Sequence, residues 1–448
     1  MSADFDAART RFLQGAAALE AGDAAAAESH LLASLQHLPG RPSTLVNLAV
    51  ARLRLGRPAD ALPPLDEALA ANVSQPDAWC HRAQACSELG RNDEALADLA
   101  RAQALAPLPP SARCLQATVL NRSGRHARAL AVLQALLAEQ PALADAELLR
   151  GQTLQALGRP AEALAAYRAA SAADPALPDA WLHQGLLLAE AGQPDAARAS
   201  LLRAREAGGD AALLDYLSAP LLAAGAPSRV PPAAPANYLR LLFDPYAEHF
   251  DTHLVQQLHY RGHEAVVAAA LAARPARAAQ PVALALDLGC GSGLCGPLLR
   301  PWAQRLEGVD LSPTMVRLAT ARGCYDAVHE AELLQHLQAL PAASAGLVVA
   351  ADVFIYLGEL EAVMAAVAKV LAPQGLFVFS VESTADGEDS TGAGYVLRRS
   401  LRYAHSATGL HTRAAAQGLR VHGVQAVVLR QEQQQAVAGQ VWVLQVGS

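Results

Sequence analysis

In the stretch "LDLGCGSGL" an acidic residue, Asp287, is followed by Gly289, Gly291 and Gly293 at every second position. Glycine frees the backbone to take left-handed conformations and to approach a ligand that a Cβ would exclude. A helix expected to open near Leu294 would add amide donors and a positive dipole end, which suit a carboxylate. Twenty-three residues after Asp287, a second apolar run ends in "EGVDLSP". Asp310 there is the residue type that can accept both hydroxyls of a ribose, with Leu311 beside it. Ser312 and Pro313 read as the cap and first turn of the next helix.

The loop can be read in two registers. Residues 291–296, "GSGLCG", match the dinucleotide-binding spacing G-x-G-x-x-G, which would make the chain an NAD-dependent oxidoreductase. In that register Gly289 and Cys290 are extra residues between strand and motif. The alternative, acid-x-G-x-G-x-G, starts at the strand end.

Turns of this kind require a parallel sheet to carry them. Apolar runs at 282–288, 345–351 and 375–381, with shorter ones near 306–310 and 328, alternate with helical stretches. That alternation predicts parallel strands joined by crossover helices. The tail differs: "LRVHGVQAVVLR" and "QVWVLQV" predict a terminal hairpin that places an antiparallel strand in the sheet. Ahead of the sheet, from Asn237, runs a helical segment with an aromatic stripe of Phe243, Tyr246, Phe250 and Tyr260. It reads equally as a lid over the ligand and as an amphipathic helix packed on the sheet. His249 and His253 share a helical face at metal-compatible spacing, but no third ligand is evident and no metal site is expected.

The acid-x-G-x-G-x-G loop and Asp310 resemble the first motif and the ribose-binding acid of class I S-adenosylmethionine-dependent methyltransferases, and further motifs follow in that family's order. "AELLQHL" stands where the family places an acid near the adenine amine, which implies Glu332, with Glu330 as alternate. "GLVVAADVFIYL" resembles the fourth strand and its loop, implying Asp352 and Tyr356 at the methyl end of the cofactor. "LAPQGLFVFSVES" resembles the fifth strand, ending at Glu382. The resemblance spans 237–448 and implies S-adenosylmethionine as cofactor, held by Asp287, Gly289, Gly291, Gly293, Asp310, Leu311, Glu332 and Asp352, with Tyr246 and Phe250 from the aromatic segment. It names no acceptor. Tyr356, Glu382 and His405 are the candidate catalytic residues, and His405 reads as either a base in the substrate site or an anchor for its loop. "AADVF" stands in place of the Asn/Asp-Pro-Pro-aromatic signature of nucleic-acid amino-methyltransferases.

The first half keeps a different rhythm. Glycines stand at 22, 56, 90, 124, 158 and 192, each interval being 34 residues. Fixed offsets from Gly158 give Ala163, Tyr167, Ala170 and Pro175, and the same offsets from Gly90 give Ala95, Leu99, Ala102 and Pro107. Trp79 and Trp181 each precede their repeat's glycine by eleven residues. This pattern resembles tetratricopeptide repeats from about Ala8 to Asp210, in which a glycine closes the first helix of a pair and small alanines let helices approach. One pair cannot bury its own apolar face, so the pairs must stack. Ala212–Ala224 is expected to cap the stack, and Pro63 and Pro64 to kink or delay a helix. The resemblance implies a concave groove for a protein or peptide, faced by Asn47, Arg54, His81, Gln84, Asn121 and Arg122. Those residues could equally do no more than solvate it.

The expected architecture is therefore an all-α superhelix of six repeats plus a capping helix over 1–225, a proline-rich linker over 226–236, and an α/β Rossmann-like domain over 237–448. That domain's sheet is expected to be seven-stranded and mostly parallel. A hydrophobic fraction of 52% against 17% charged describes a chain that folds. The net charge of −7, with no basic run, argues against a nucleic-acid partner. No apolar stretch reaches membrane-spanning length, and the N-terminus lacks an apolar signal core, so a cytoplasmic protein is expected. The six cysteines form no C-x-x-C pair and read as reduced, buried thiols. Three functions fit: a methyltransferase whose repeats recruit a protein, a scaffold with a degenerate methyltransferase domain, and the oxidoreductase of the other register.

Overall fold

The computed structural model describes residues 2–221, 230–243, 260–273, 280–389, 392–432 and 435–447. The chain divides into two compact units, Met1–Gly209 and Asp210–Ser448. Among the described residues, no helix is long and apolar enough to cross a membrane.

The first unit is twelve helices in six antiparallel pairs, from Ser2–Glu20 to Pro194–Glu206. All six glycines of the 34-residue series have φ between 68° and 80°. A side chain there would strain the turn that reverses the chain. The second fixed feature is a small-against-large pair. Gly15, Ala49, Ala83, Ala117, Gly151 and Gly185 lie opposite Leu31, Leu65, Leu99, Leu133, Tyr167 and Leu201, all buried. Each large side chain fills the gap between its two helices, a burial that contributes about 2 kcal/mol. The one aromatic member, Tyr167, faces a glycine, and a Cβ on Gly151 would stand 2.3 Å from its ring.

Pro63 and Pro64 do not break their helix, which runs unbroken over Pro58–Ala71. Pro64 leaves the Asp60 carbonyl without its i+4 donor, and Arg52 Nη1 donates to that carbonyl at 2.8 Å. Two residues expected to face the groove also tie neighbouring repeats together: Arg54 donates to the Leu19 carbonyl and Arg122 to the Ser87 carbonyl. Asn121 is likewise engaged, donating to Thr153 Oγ1 at 2.8 Å.

Among the described residues, the second unit holds one nine-stranded sheet. Its strands are β1 (Val282–Leu288), β2 (Ala303–Asp310), β3 (Ala327–Glu330), β4 (Ala345–Ala350), β5 (Leu371–Ser383), β6 (Tyr395–Leu397), β7 (Tyr403–His405), β8 (Leu419–Glu432) and β9 (Gln435–Val446). The order β3-β2-β1-β4-β5 is parallel throughout. The terminal hairpin β8–β9 adds antiparallel to β5 over Leu376–Glu382, as the tail's pattern predicts. The sheet has two more strands than expected, because β5 runs beyond its apolar stretch. Its last residues, Glu382 and Ser383, pair in parallel with β7, which pairs with β6.

Leu286, Val309, Val348, Phe377 and Phe379 pack on one face of the sheet with Leu337, Val367 and Leu410 from covering helices. Ala285, Leu306, Leu347 and Val378 pack on the other with Val266, Val267 and Ala270 of the helix Gly262–Ala272. Strands covered on both faces read as continuous apolar runs, which is how they were visible in the sequence.

Two expected boundaries move. Helix Ala211–Ser218, expected to cap the repeats, belongs to the second unit. Its buried Tyr216 packs against Tyr238 and Tyr403 at ring-centroid distances of 5.0 and 6.2 Å and donates to the Leu401 carbonyl. The described end of the expected linker is also docked. Pro231 O accepts from Tyr403 Oη at 2.7 Å, Pro232 O from Gly358 N at 2.8 Å, and Ala234 N donates to Tyr356 O at 2.8 Å. A proline has an acceptor and no donor, so a proline pair suits a segment that binds through its carbonyls alone.

Candidate functional site

A cavity of about 630 Å³ opens at the C-terminal ends of β1, β2 and β4, where an open α/β sheet places its ligand. Asp287, Gly289, Gly291, Asp310, Leu311, Glu332, Asp352 and Tyr356 all line it. Gly293 does not line it; its Cα side faces Arg322 and Tyr325, each 3.0 Å from where a Cβ would stand. Tyr246 and Phe250 lie outside the described residues, as do His249 and His253.

The glycine loop is built as its spacing requires. Gly289, Gly291 and Gly293 have φ of 60°, 53° and 88°. A Cβ on Gly289 would collide with Val353 at 2.6 Å, whereas a Cβ on Gly291 would meet nothing within 4 Å. The backbone at Gly291 therefore borders open cavity space. The helix after the loop opens two residues later than expected: residues 291–295 are turns, and Gly296–Leu299 runs on into the 3-10 turn Arg300–Trp302.

Asp310 is fastened between those turns. Its Oδ2 accepts from Gly291 N at 2.8 Å and its Oδ1 from Ser312 N at 2.9 Å. Ser312 caps Pro313–Ala321 by accepting from Met315 N at 3.3 Å. Asp287 is buried, with Oδ2 accepting from Tyr325 Oη at 2.6 Å. Burial pushes its carboxyl up to about 7, against the Tyr325 hydrogen bond, and the nearby charge of Asp310 adds to the rise. Glu332 caps Leu333–Ala339 by accepting from Gln335 N at 2.8 Å and presents its side chain at the cavity rim.

At the other end stand Asp352, Tyr356, Arg402 and Arg430. Asp352 has φ of 57°, a left-handed conformation that costs a non-glycine residue energy. Ser380 Oγ stabilises it by accepting from Asp352 N at 2.8 Å, and Arg430 Nη1 donates to Asp352 Oδ2 at 3.3 Å. Burial raises the carboxyl of Asp352, opposed by Arg430 and Arg402. Burial also raises the Tyr356 phenol, so it stays protonated near neutrality. Its ring meets Phe243 edge-on at 5.7 Å, which puts the first aromatic residue of the stripe on the cavity wall.

Glu382 and His405 do not line the cavity. Glu382 is buried between Arg430, which donates to Oε1, and Arg398, which donates to Oε2 at 2.9 Å. It supports Arg430 from behind and has no route to an acceptor. His405 is 1% exposed, and its Nε2 lies 3.0 Å from the Phe354 carbonyl oxygen. Burial brings its pKa down to about 4. Of the two readings of His405, the geometry fits the anchor: it pins the turn Phe354–Tyr356. Arg430 and Tyr325 were missed by sequence reasoning. Arg430 is buried within β8, a placement its polar side chain does not announce in the sequence.

The sheet order, the antiparallel terminal strand, the glycine loop after β1 and the acid ending β2 define a Rossmann-like domain of the class I methyltransferase type. Residues 286–379 match the family described as a methyltransferase domain, and residues 46–108, 87–144 and 148–212 match the tetratricopeptide repeat. The chain thus joins N-terminal tetratricopeptide repeats to a C-terminal methyltransferase domain. No curated protein matches it. Among solved structures, MamA from Desulfovibrio magneticus RS-1 is 23% identical, covering 37% of this chain and 94% of that chain with a TM-score of 0.34. YrrB, described as a TPR protein with an unusual peptide-binding site, is 21% identical over 41% of this chain and 95% of that one, with a TM-score of 0.34. An S-adenosylmethionine-dependent methyltransferase from Mesorhizobium loti is 18% identical over 41% of this chain and 100% of that one, with a TM-score of 0.32.

Proposed function

We propose that this protein is an S-adenosylmethionine-dependent methyltransferase whose repeats recruit a protein partner or a protein substrate. The observation that carries the reading is Asp310, an acid fastened at the end of β2 to the amide of Gly291 and lining the cavity where a ribose would lie. The open space at Gly291 admits a ligand against the backbone, and buried Asp287 supplies negative charge suited to a cationic amino group. Glu332 at the rim offers an acceptor for an exocyclic amine. When bound, S-adenosylmethionine supplies a methyl group made electrophilic by its sulfonium. The chain's own task is to align an acceptor and exclude water. Tyr356, held protonated by burial, orients the acceptor, and Asp352 is the cavity carboxylate placed to take up a proton.

The dinucleotide register is disfavoured by the same loop. Gly289 and Cys290 stand between β1 and that spacing, and residues 291–295 are turns, so a helix opens only at its last glycine, Gly296. The intact loop and Asp310 likewise argue against a degenerate domain. Ultraviolet cross-linking of the full chain with methyl-labelled S-adenosylmethionine tests the reading. Label should enter residues 282–432 and be displaced by S-adenosylhomocysteine. Displacement by NAD instead, or label confined to the repeats, would overturn it.

A further inference from the structure

Outside the cavity lining, Glu307 of β2, His329 of β3 and His336 of the helix Leu333–Ala339 converge, with one ligand atom from each within 4.8 Å of the others. The sheet register explains why. Glu307 pairs with Ala327 and Val309 with His329, so Glu307 and His329 share one face of adjacent strands as diagonal neighbours. The helix Leu333–Ala339 covers that face, burying Leu337 against Leu286 and Val309, and its adjacent residue His336 enters beside them.

The trio has the marks of a coordinating set. Glu307 is 5% exposed, an unusual place for a carboxylate. Its Oε2 lies 3.0 Å from His329 Nε2, and its Oε1 accepts from Arg305 Nε at 2.6 Å. Nε2 of His336 is buried without a hydrogen-bond partner, a cost that a coordinated ion would remove. The two imidazole rings stand 4.7 Å apart at 36°, separate enough for each to direct a nitrogen at one point.

We propose that Glu307, His329 and His336 form a site for a divalent transition ion of the zinc type, with water completing its shell. Two imidazoles and one carboxylate select such ions over magnesium or calcium, which prefer oxygen alone. Ligand atoms around tetrahedral zinc stand about 3.3 Å apart, so small side-chain rotations from the present spacing close the site. Arg305 on Oε1 orients the carboxylate and leaves Oε2 for the ion, an outer contact of the kind that tunes metal sites. The ion would join β2 and β3 to the following helix. It would thereby brace the connection carrying Ala331 and Glu332, both on the cavity wall. The site stands on its own geometry, whether or not the cavity binds S-adenosylmethionine.

The test uses the full chain, stripped by a chelator and titrated with Zn²⁺ against a chromophoric competitor. One equivalent should bind at micromolar affinity or tighter. Glu307→Gln, His329→Gln and His336→Gln should each weaken it at least tenfold, while exposed His422→Gln should not. Should a variant fail to fold, X-ray absorption of the zinc-loaded wild type decides: two imidazoles and oxygen are expected, with no sulfur from the six cysteines. Unchanged affinity in the three folded variants, no binding at tens of micromolar zinc, or a sulfur-containing shell would overturn the proposal.

Discussion

Asp310 Oδ2 accepts a 2.8 Å hydrogen bond from the Gly291 amide, so the acid at the end of β2 and the glycine loop after β1 form one unit. Neither turn is set independently: the same carboxylate also accepts from Ser312 N, which begins the next helix. A ligand that engages Asp310 engages a preformed cradle and has little ordering left to impose.

Asp310→Ala should therefore weaken S-adenosylhomocysteine by roughly a hundredfold, the loss of about 3 kcal/mol of charged hydrogen bonding. The melting temperature should stay within a few degrees of wild type. Unchanged affinity in a folded variant would remove Asp310 from the binding role.

Asp287 gives a pH signature. Its carboxyl is pushed up to about 7 by burial, so the ligand-free protein holds a proton there in mild acid. A cationic ligand favours the ionised form. Affinity should then rise about tenfold per pH unit from pH 5 to 7 and flatten above. Tyr325→Phe removes the hydrogen bond that lowers this pKa, so the rise should move to higher pH. Isothermal titration across pH reads both, and a flat profile in wild type would contradict the assignment.

Asp352 and His405 should separate cleanly. Asp352→Asn should lower kcat by about a hundredfold or more if the carboxylate takes up a proton. His405→Asn should cost roughly 1–3 kcal/mol of stability through its lost hydrogen bond while leaving the shape of the pH–rate profile alone. Thermal denaturation and pH–rate measurements on both variants check this.

In the repeats, Gly151→Ala should destabilise by about 1–3 kcal/mol, because its Cβ would stand 2.3 Å from the Tyr167 ring. Adding Tyr167→Leu should restore most of the loss, since the chain already uses alanine against leucine at Ala83–Leu99 and Ala117–Leu133. Chemical denaturation of the single and double variants measures the rescue.

What the sequence disclosed followed period and spacing. The 34-residue glycines could be read because each needs a left-handed backbone, and Asp287 and Asp310 because each ends a strand beside a turn. Relationships made in space left no such trace. Tyr325 reaches Asp287 across 38 residues and Arg430 reaches Asp352 across 78. His405 stands in a polar stretch that leaves base and anchor equally open, and the pairing of β7 with β5 carries it inside. Helix Ala211–Ser218 follows the last repeat and reads as its cap, and only the aromatic contacts of Tyr216 tie it to the second unit.

The most direct test is calorimetric titration of the purified full chain with S-adenosylhomocysteine and, in parallel, with NAD. One site of micromolar affinity for the former, about −8 kcal/mol, with no heat from NAD is the result expected. Binding of NAD without S-adenosylhomocysteine would contradict the account and restore the dinucleotide register.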